Sequence, residues 1–300
     1  MAFDNSIALA EMFVGVLDEK YKMESVTDFL DAPDEIVQGT ATADTVQLPQ
    51  IDPEGLGDYS RNSGFEKGES DVTWEAYKLT MDRGRQFQID NYDDQETIET
   101  AFGQLADEFM RLHVVPEIDA HRFQEMADNA GETEQADLSK NDVIEAIDEA
   151  DAHLTDKEVP MEGRVIWVNP TVYKYLKQDD MLERMVDTQT GEEVVDRRFW
   201  DLDGNTLVVV PSGRFNTSFD FKDGDDNEGG FDADGDEINF LMAHPTAVLP
   251  IVKHNDPRVF DPETNQSANA WLFDYRLYHD CFVLDNKEDA IYVHKENGDA

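Results

Sequence analysis

Apolar residues change their spacing along this chain, and each change marks a different kind of element. Residues 5–30 carry short clusters, Met12-Phe13-Val14, Val16-Leu17 and Phe29-Leu30, separated by charge. No steady stripe persists there, which predicts a partly helical, extended N-terminal arm, followed by a small polar linker over 39–44. Strand-like alternation then begins at Thr45-Val46-Gln47-Leu48, where Pro49 and Pro53 restrict the segment to an edge or an arm. It resumes over 72–81, with Val72 and Trp74 on one face and Tyr77, Leu79 and Met81 on the other, and again with Phe87 and Ile89. Between these runs Asp82-Arg83-Gly84-Arg85 reads as a turn. The whole of 45–90 is expected to be a long antiparallel excursion with apolar side chains on both faces, its edges open to another chain. Ordinary sheet within the domain is the alternative.

The rhythm becomes helical near Asp93, where Glu96 three residues on makes a capping-box-like start. Ile98, Phe102, Leu105, Ala106 and Phe109 hold one stripe, and Ile118, Phe123 and Met126 extend it towards Asp128-Asn129-Ala130-Gly131. Such a helix would span roughly 45–50 Å, with Pro116 kinking or splitting it. An α/β stretch follows over about 135–245. Ser139 is the expected cap of a helix bearing Val143, Ile147 and Leu154, and Asn169-Pro170 opens a second bearing Val172 and Leu176. Val165 to Val168 and Leu207 to Val210 read as strands, the latter buried and central, and the remainder is strand-rich: 238–242, 248–252, 271–275, 282–284 and 291–293.

Composition alters this picture mainly through charge. The 300 residues, 40% of them apolar and 10% aromatic, suffice for a hydrophobic core. Against 24 basic residues stand 68 acidic ones, a formal net charge of −44. Self-repulsion on that scale destabilises a compact state in ordinary salt. Disorder would need few aromatics and little hydrophobicity, so the charge is read as adaptation to very high salt, where the screening length falls to ~3 Å. The balance argues against an electrostatic nucleic-acid binder built on clustered Lys and Arg and leaves open a screened, non-specific contact at high salt. Arg83/Arg85 and Arg197/Arg198, flanked by Asp, read as ion-pair partners. One cysteine, Cys281, excludes an intrachain disulfide and a Cys-based zinc site. No basic, apolar leader is evident at the N-terminus and no apolar run of about 18 residues exists, so neither a signal peptide nor a membrane span is expected.

Candidate chemistry is sparse. His279 and Cys281 could share a strand face as a nucleophile pair, although a lone thiol in an aromatic strand is ordinarily core. His113, Glu117 and His121 recur at helical spacing with about 40° of drift per step, a possible metal face interrupted by Pro116. Asp220 to Asp236 invites a calcium reading, but starting from Asp223 position 6 is Glu228 and position 12 is Asp234, so no EF-hand register fits. A solvated acidic loop is the default, with non-specific salt cations on the acidic surface. There is no phosphate loop, no Gly-x-Ser-x-Gly elbow and no His-Glu-x-x-His; catalysis and a dedicated cofactor are not expected.

Taken together, an ordered set of segments resembles the major capsid proteins of tailed double-stranded DNA viruses, those with the Hong Kong 97-like fold. It comprises Val46 to Ile51, Gly55-Leu56-Gly57-Asp58-Tyr59-Ser60-Arg61-Asn62, Val72 to Glu75, Asp82 to Phe87, Glu108 to Arg111 and Val114 to Phe123, then His244 to Val248 and Trp271 to Arg276. The resemblance implies an α+β fold with an N-terminal arm (1–44), an extended β-hairpin loop (45–92), a peripheral domain containing a spine helix (93–134 and 238–300) and an axial domain (135–237). It implies a virion protein, assembled in the host cytoplasm from pentamers and hexamers into an icosahedral shell. Packaged double-stranded DNA would be contacted non-specifically, and scaffolding, protease, portal and decoration proteins are the implied partners. Tyr59, Arg61, Trp74, Arg83 and Arg85 are the expected intersubunit contacts. The acidic 220–237 segment departs from the family pattern and reads as an insertion near the capsomer axis. With the net charge, the host is expected to be halophilic. An encapsulin-like compartment is the alternative within this fold; a halophilic hydrolase or metalloenzyme is the alternative outside it.

Overall fold

The computed structural model describes residues 25–31, 45–59, 61, 65, 70–90, 108–178, 200–225 and 228–298. Most of the expected arm, the 39–44 linker, the proposed helix start at Asp93 and Arg197/Arg198 lie outside them.

Two strands, β1 (Thr45–Pro53) and β2 (Ser70–Lys78), pair only with each other, from Thr45 opposite Lys78 to Pro53 opposite Ser70. A two-stranded ribbon has a free edge on each strand, which is why Pro49 and Pro53 are tolerated. After Leu79 and Thr80, β3 (Met81–Asp90) leaves the ribbon and joins a different sheet. There it flanks β12 (Ala270–Val283), whose other neighbour is β11 (Val248–Phe260), giving the order β11-β12-β3. The antiparallel excursion expected over 45–90 therefore ends at residue 78. Asp82 to Arg85 is no turn: Arg83 lies opposite Leu277, Gly84 opposite Arg276 and Arg85 opposite Tyr275. Gly84 serves close approach instead, since a Cβ there would sit 2.8 Å from the Tyr275 carbonyl oxygen.

Helical residues run from 108 to 128. Met110–Val114 form a π turn, closed by the Val115 N–H on the Met110 carbonyl, and α1 (Val115–Asp128) continues from it with Pro116 in its first turn. The widened turn takes up the missing proline N–H, so the helix passes Pro116 without a break in this stretch.

The largest sheet has six strands in the order β4 (Glu132–Gln135), β13 (Ile291–Lys295), β10 (Ile238–Ala243), β5 (Val165–Val168), β7 (Asn205–Val209) and β6 (Asp201–Leu202). It is mixed: β13/β4 and β5/β7 run parallel, the other pairs antiparallel. All of β5 and β10 is buried, because both faces of the sheet are covered. Val165, Trp167 and Leu241 meet Phe123 and Met126 of α1 together with Val26 and Leu30 of the N-terminal segment. Ile166, Val168, Phe240 and Met242 meet α2 (Val143–Asp156) and α3 (Pro170–Leu176). β7 is one strand from the sheet edge rather than central, covered only by the two-residue β6.

Two helix starts contrast. Asn169 caps α3 as expected, its side chain accepting from the Val172 N–H at 2.7 Å with Pro170 next. Ser139 does not cap α2: it accepts from the Asn141 N–H and donates to Asp142, which holds the cap position. The acidic segment also has structure of its own. β8 (Phe219–Phe221) and β9 (Phe231–Ala233) form a small hairpin around Phe219, Phe221 and Phe231. Backbone pairing crosses the expected division at residue 238, since β10 bonds to both β5 and β13.

Candidate assembly surface

Among the described residues, the β1–β2 ribbon is anchored at its root. Val46, Leu79 and Ile251 are buried together at its root, where the Tyr77 ring packs against Phe282 with centroids 5.2 Å apart. Further out the ribbon carries apolar groups with nothing over them. Trp74 is 64% exposed, Val72 is exposed beside it, and Leu56, Tyr59 and Phe65 are exposed beyond the strands. Tyr59 and Phe65 cover each other partly, centroids 4.9 Å apart, and Arg61 is exposed between them in sequence. A cluster of large apolar groups on a thin projection is a feature of interaction surfaces.

Arg83 and Arg85 stand elsewhere. Odd-numbered residues of β3 point inward and even-numbered ones outward. Arg83 Nε donates to Glu117 at 2.6 Å, Nη1 to the Lys222 carbonyl at 2.6 Å and Nη2 to the Gly230 carbonyl at 3.2 Å, with its guanidinium 6.0 Å from the Phe221 ring centroid. It thereby ties β3 to α1 and to the β8–β9 hairpin. The Arg85 guanidinium passes close to Gly224 and Gly229 of the same hairpin. Both arginines line a cleft of about 570 Å³, with Phe87, Phe109, His113 and Lys222 among its walls. Asp82, on the outer face, makes a two-pronged pair with Arg276 at 2.9 and 2.6 Å. The expected interface set thus splits: Tyr59, Arg61 and Trp74 belong to the projection, whereas Arg83 and Arg85 belong to the body.

A buried polar centre holding the N-terminal segment escaped the sequence reading. Asp119 of α1, fully buried, accepts from Ser25 Oγ at 2.8 Å, the Val26 N–H at 3.2 Å, Thr27 Oγ1 at 2.5 Å and Arg214 Nη1 at 2.6 Å. Arg122, one turn along, donates to the Thr27 carbonyl at 2.8 Å and to Asp31. Trp167 Nε1 donates to the Val26 carbonyl at 3.1 Å, and Phe29 stacks on the Trp167 ring. Residues 25–31 are therefore built into the core. Asp119 and Arg122 have ordinary surface-helix spacing, and nothing local distinguishes them from exposed charges.

The residues singled out for chemistry separate. His113 packs on Phe109, Glu117 pairs with Arg83, and His121 Nε2 donates to Asp280 at 2.8 Å. The three do not converge. Cys281 is wholly buried, and burial pushes its thiol well above the ordinary range, away from the thiolate a nucleophile needs. Burial lowers His279 to about 3, with a smaller push in the same direction from the neighbouring His121 and Arg122. Burial alone would raise the Asp280 carboxyl, but hydrogen bonds from His121 and the Thr80 N–H outweigh it and hold it low. In the acidic segment Asp220 and Asp232 converge on Lys222, at 2.5 and 3.4 Å. No helix among the described residues is long and apolar enough to cross a membrane.

The chain as a whole matches solved structures over nearly its full length. Against the capsid of Cyanophage P-SCSP1u the TM-score is 0.70 at 13% identity, covering 97% of this chain and 93% of that chain. Against the mature capsid of bacteriophage PhiM1 it is 0.69 at 12% identity, covering 97% and 93%. Against a chain of Mycobacterium phage Che8 it is 0.64 at 17% identity, covering 98% of each. No protein-family model and no curated protein matches the sequence. The likeness is one of fold: the chain has the mixed α/β fold of phage capsid proteins.

Proposed function

We propose that this chain is the major capsid protein of a tailed double-stranded DNA virus, with the Hong Kong 97-like fold, and that its work is repeated contact with copies of itself. The observation that carries this is the near-complete overlap with phage capsid subunits in both directions. A shared motif would support a shared site; a match over 97–98% of this chain supports a shared way of building. In this reading the β1–β2 ribbon is the extended loop and helical residues 108–128 are the described part of the spine. The three-stranded sheet then belongs to the peripheral domain and the six-stranded sheet to the axial one. Tyr59, Arg61 and Trp74 contact neighbouring subunits, since the ribbon leaves their side chains uncovered. Arg83 and Arg85 brace the body that bears the ribbon.

Pentamers and hexamers of this subunit would close an icosahedral shell in the host cytoplasm. DNA inside would meet a surface with few clustered cations and be held by confinement rather than by counterion release. Portal, scaffolding, protease and decoration proteins would be the remaining partners. The charge of −44 supports a virus whose host lives in high salt. Negative-stain electron microscopy of the protein purified in molar salt tests the reading. Closed shells or ring-shaped capsomers are expected, and a monodisperse monomer would refute it. DNA-filled particles from the native source separate a capsid from an enzyme-filled compartment.

A further inference from the structure

Between α1 and β12 lies a group of side chains for which shell assembly has no use. His121 and Glu125, one helical turn apart on α1, meet Asp280 of β12, and one donor atom from each lies within 4.8 Å of the other two. Among the described residues this is the one such trio of His, Cys or carboxylate groups. His121 and Asp280 are almost wholly buried, whereas Glu125 is half-buried and leaves a way in from solvent. His121 Nδ1 has no hydrogen-bond partner in the interior, and neither does Nε2 of His279, whose ring meets that of His121 edge to face at 5.5 Å. A buried nitrogen left without a hydrogen-bond partner is destabilising. The two unpartnered nitrogens stand by the Glu125 carboxylate and by Asp280, whose Oδ1 accepts from His121 Nε2 and from the Cys281 N–H, both at 2.8 Å, bonds that an ion would have to replace or share.

We propose that His121, Glu125 and Asp280 bind one divalent transition-metal ion of the zinc class. Imidazole nitrogen selects such ions over calcium and magnesium, which take oxygen ligands. Two carboxylates balance the charge of a divalent ion, and three protein ligands leave a position open for water or for His279. With metal–ligand distances of about 2.0–2.2 Å, side-chain rotation suffices to close the trio around the ion. Asp280 also reaches the root of the ribbon: its Oδ2 accepts from the Thr80 N–H at 2.7 Å and from Thr80 Oγ1 at 3.0 Å. The ion would sit beside the joint from which the β1–β2 ribbon departs.

The test uses the full chain, stripped of metal and kept in molar salt with excess magnesium to occupy surface carboxylates, then titrated with cobalt(II). One cobalt per chain is expected, with the visible absorption of a low-coordinate nitrogen–oxygen site and displacement by zinc. Glu125→Gln should weaken binding at least about tenfold while keeping the His121–Asp280 hydrogen bond, so that its metal-free circular dichroism spectrum matches the wild type; Asp280→Asn should weaken binding as much. Cobalt binding equal in the wild type and Glu125→Gln, or no binding above the magnesium-competed background, would overturn the proposal and leave His121–Asp280 a structural ion pair. The measurement needs no assembled particle, so its failure would not touch the capsid reading, nor the reverse.

Discussion

Asp119 shows how much a single carboxylate can organise. Its two oxygens collect four donors from two separate pieces of chain, the 25–27 segment and Arg214. Asp119→Asn replaces one acceptor oxygen by an NH₂ group that faces donors, and removes the buried negative charge that meets Arg214 Nη1. Breaking such a pair typically costs about 3–5 kcal/mol, so a loss of unfolding free energy of that size is expected from denaturant titration of the unassembled chain. A change within ordinary surface-mutation scatter, below about 0.5 kcal/mol, would show that the cluster is held by its apolar surroundings instead. His294 offers a pH readout away from this cluster. Its Nδ1 accepts from the Asn239 side chain at 3.2 Å, and its ring stacks on Phe240 with centroids 5.0 Å apart. Burial lowers its pKa, with a smaller opposing pull from Glu134. The unfolded chain therefore takes up the proton first as pH falls. Stability should decline below about pH 6.5, the ordinary histidine value, and His294 should stop contributing to the decline below its lowered folded pKa. His294→Gln should flatten that part of the curve of unfolding free energy against pH; an unchanged slope would assign it to other groups.

At the scale of elements, legibility followed how local the determining physics was. Asn169-Pro170 was readable because a cap and a first-turn proline act within one helical turn. The unbroken apolar run of β5 agrees with its both-face burial, whereas β10 is buried just as fully with Asn239 inside it. Asp82 to Arg85 misled because glycine serves turns and close strand approach alike, and Tyr275, which decides between them, lies far along the chain. Ser139 misled by a few residues: Asp142 stands nearer the helix and took the cap position. The Asp119 centre was invisible since its partners are scattered from Ser25 to Arg214. The ribbon carries the prediction proper to this scale. Because Trp74 and Tyr59 are exposed and, among the described residues, the ribbon is packed at its root, Trp74→Ala combined with Tyr59→Ala should leave the circular dichroism spectrum and melting temperature of the unassembled chain nearly unchanged. The same double variant should lower the yield of sedimenting particles by an order of magnitude, as expected when two aromatic anchors of an interface are removed. Normal particle yield would remove these residues from the contact.

For the molecule as a whole, charge and shape make competing demands. The fold is that of phage capsid proteins, and a shell brings many copies of a chain of net charge −44 side by side. At ~0.1 M salt the screening length is about 10 Å, comparable to the reach between facing side chains, and at ~1 M it is about 3 Å. Repulsion across every interface should therefore grow as salt is withdrawn, and particles should loosen or dissociate, seen as a fall in sedimentation coefficient. Concentrated salt also strengthens apolar contacts such as those proposed for Trp74, and sulfate does so more than chloride. The two causes separate at matched ionic strength. If screening dominates, sodium chloride and sodium sulfate protect the particles equally; if apolar contact dominates, sulfate protects at lower ionic strength. Equal protection is expected, because like charges at each contact vary steeply with screening while the exposed apolar patch on the ribbon is small. Particles equally stable in millimolar and molar salt would mean that the acidic groups are neutralised within the shell, by bound cations or by ion pairs between subunits, and would remove the reason to propose a high-salt setting.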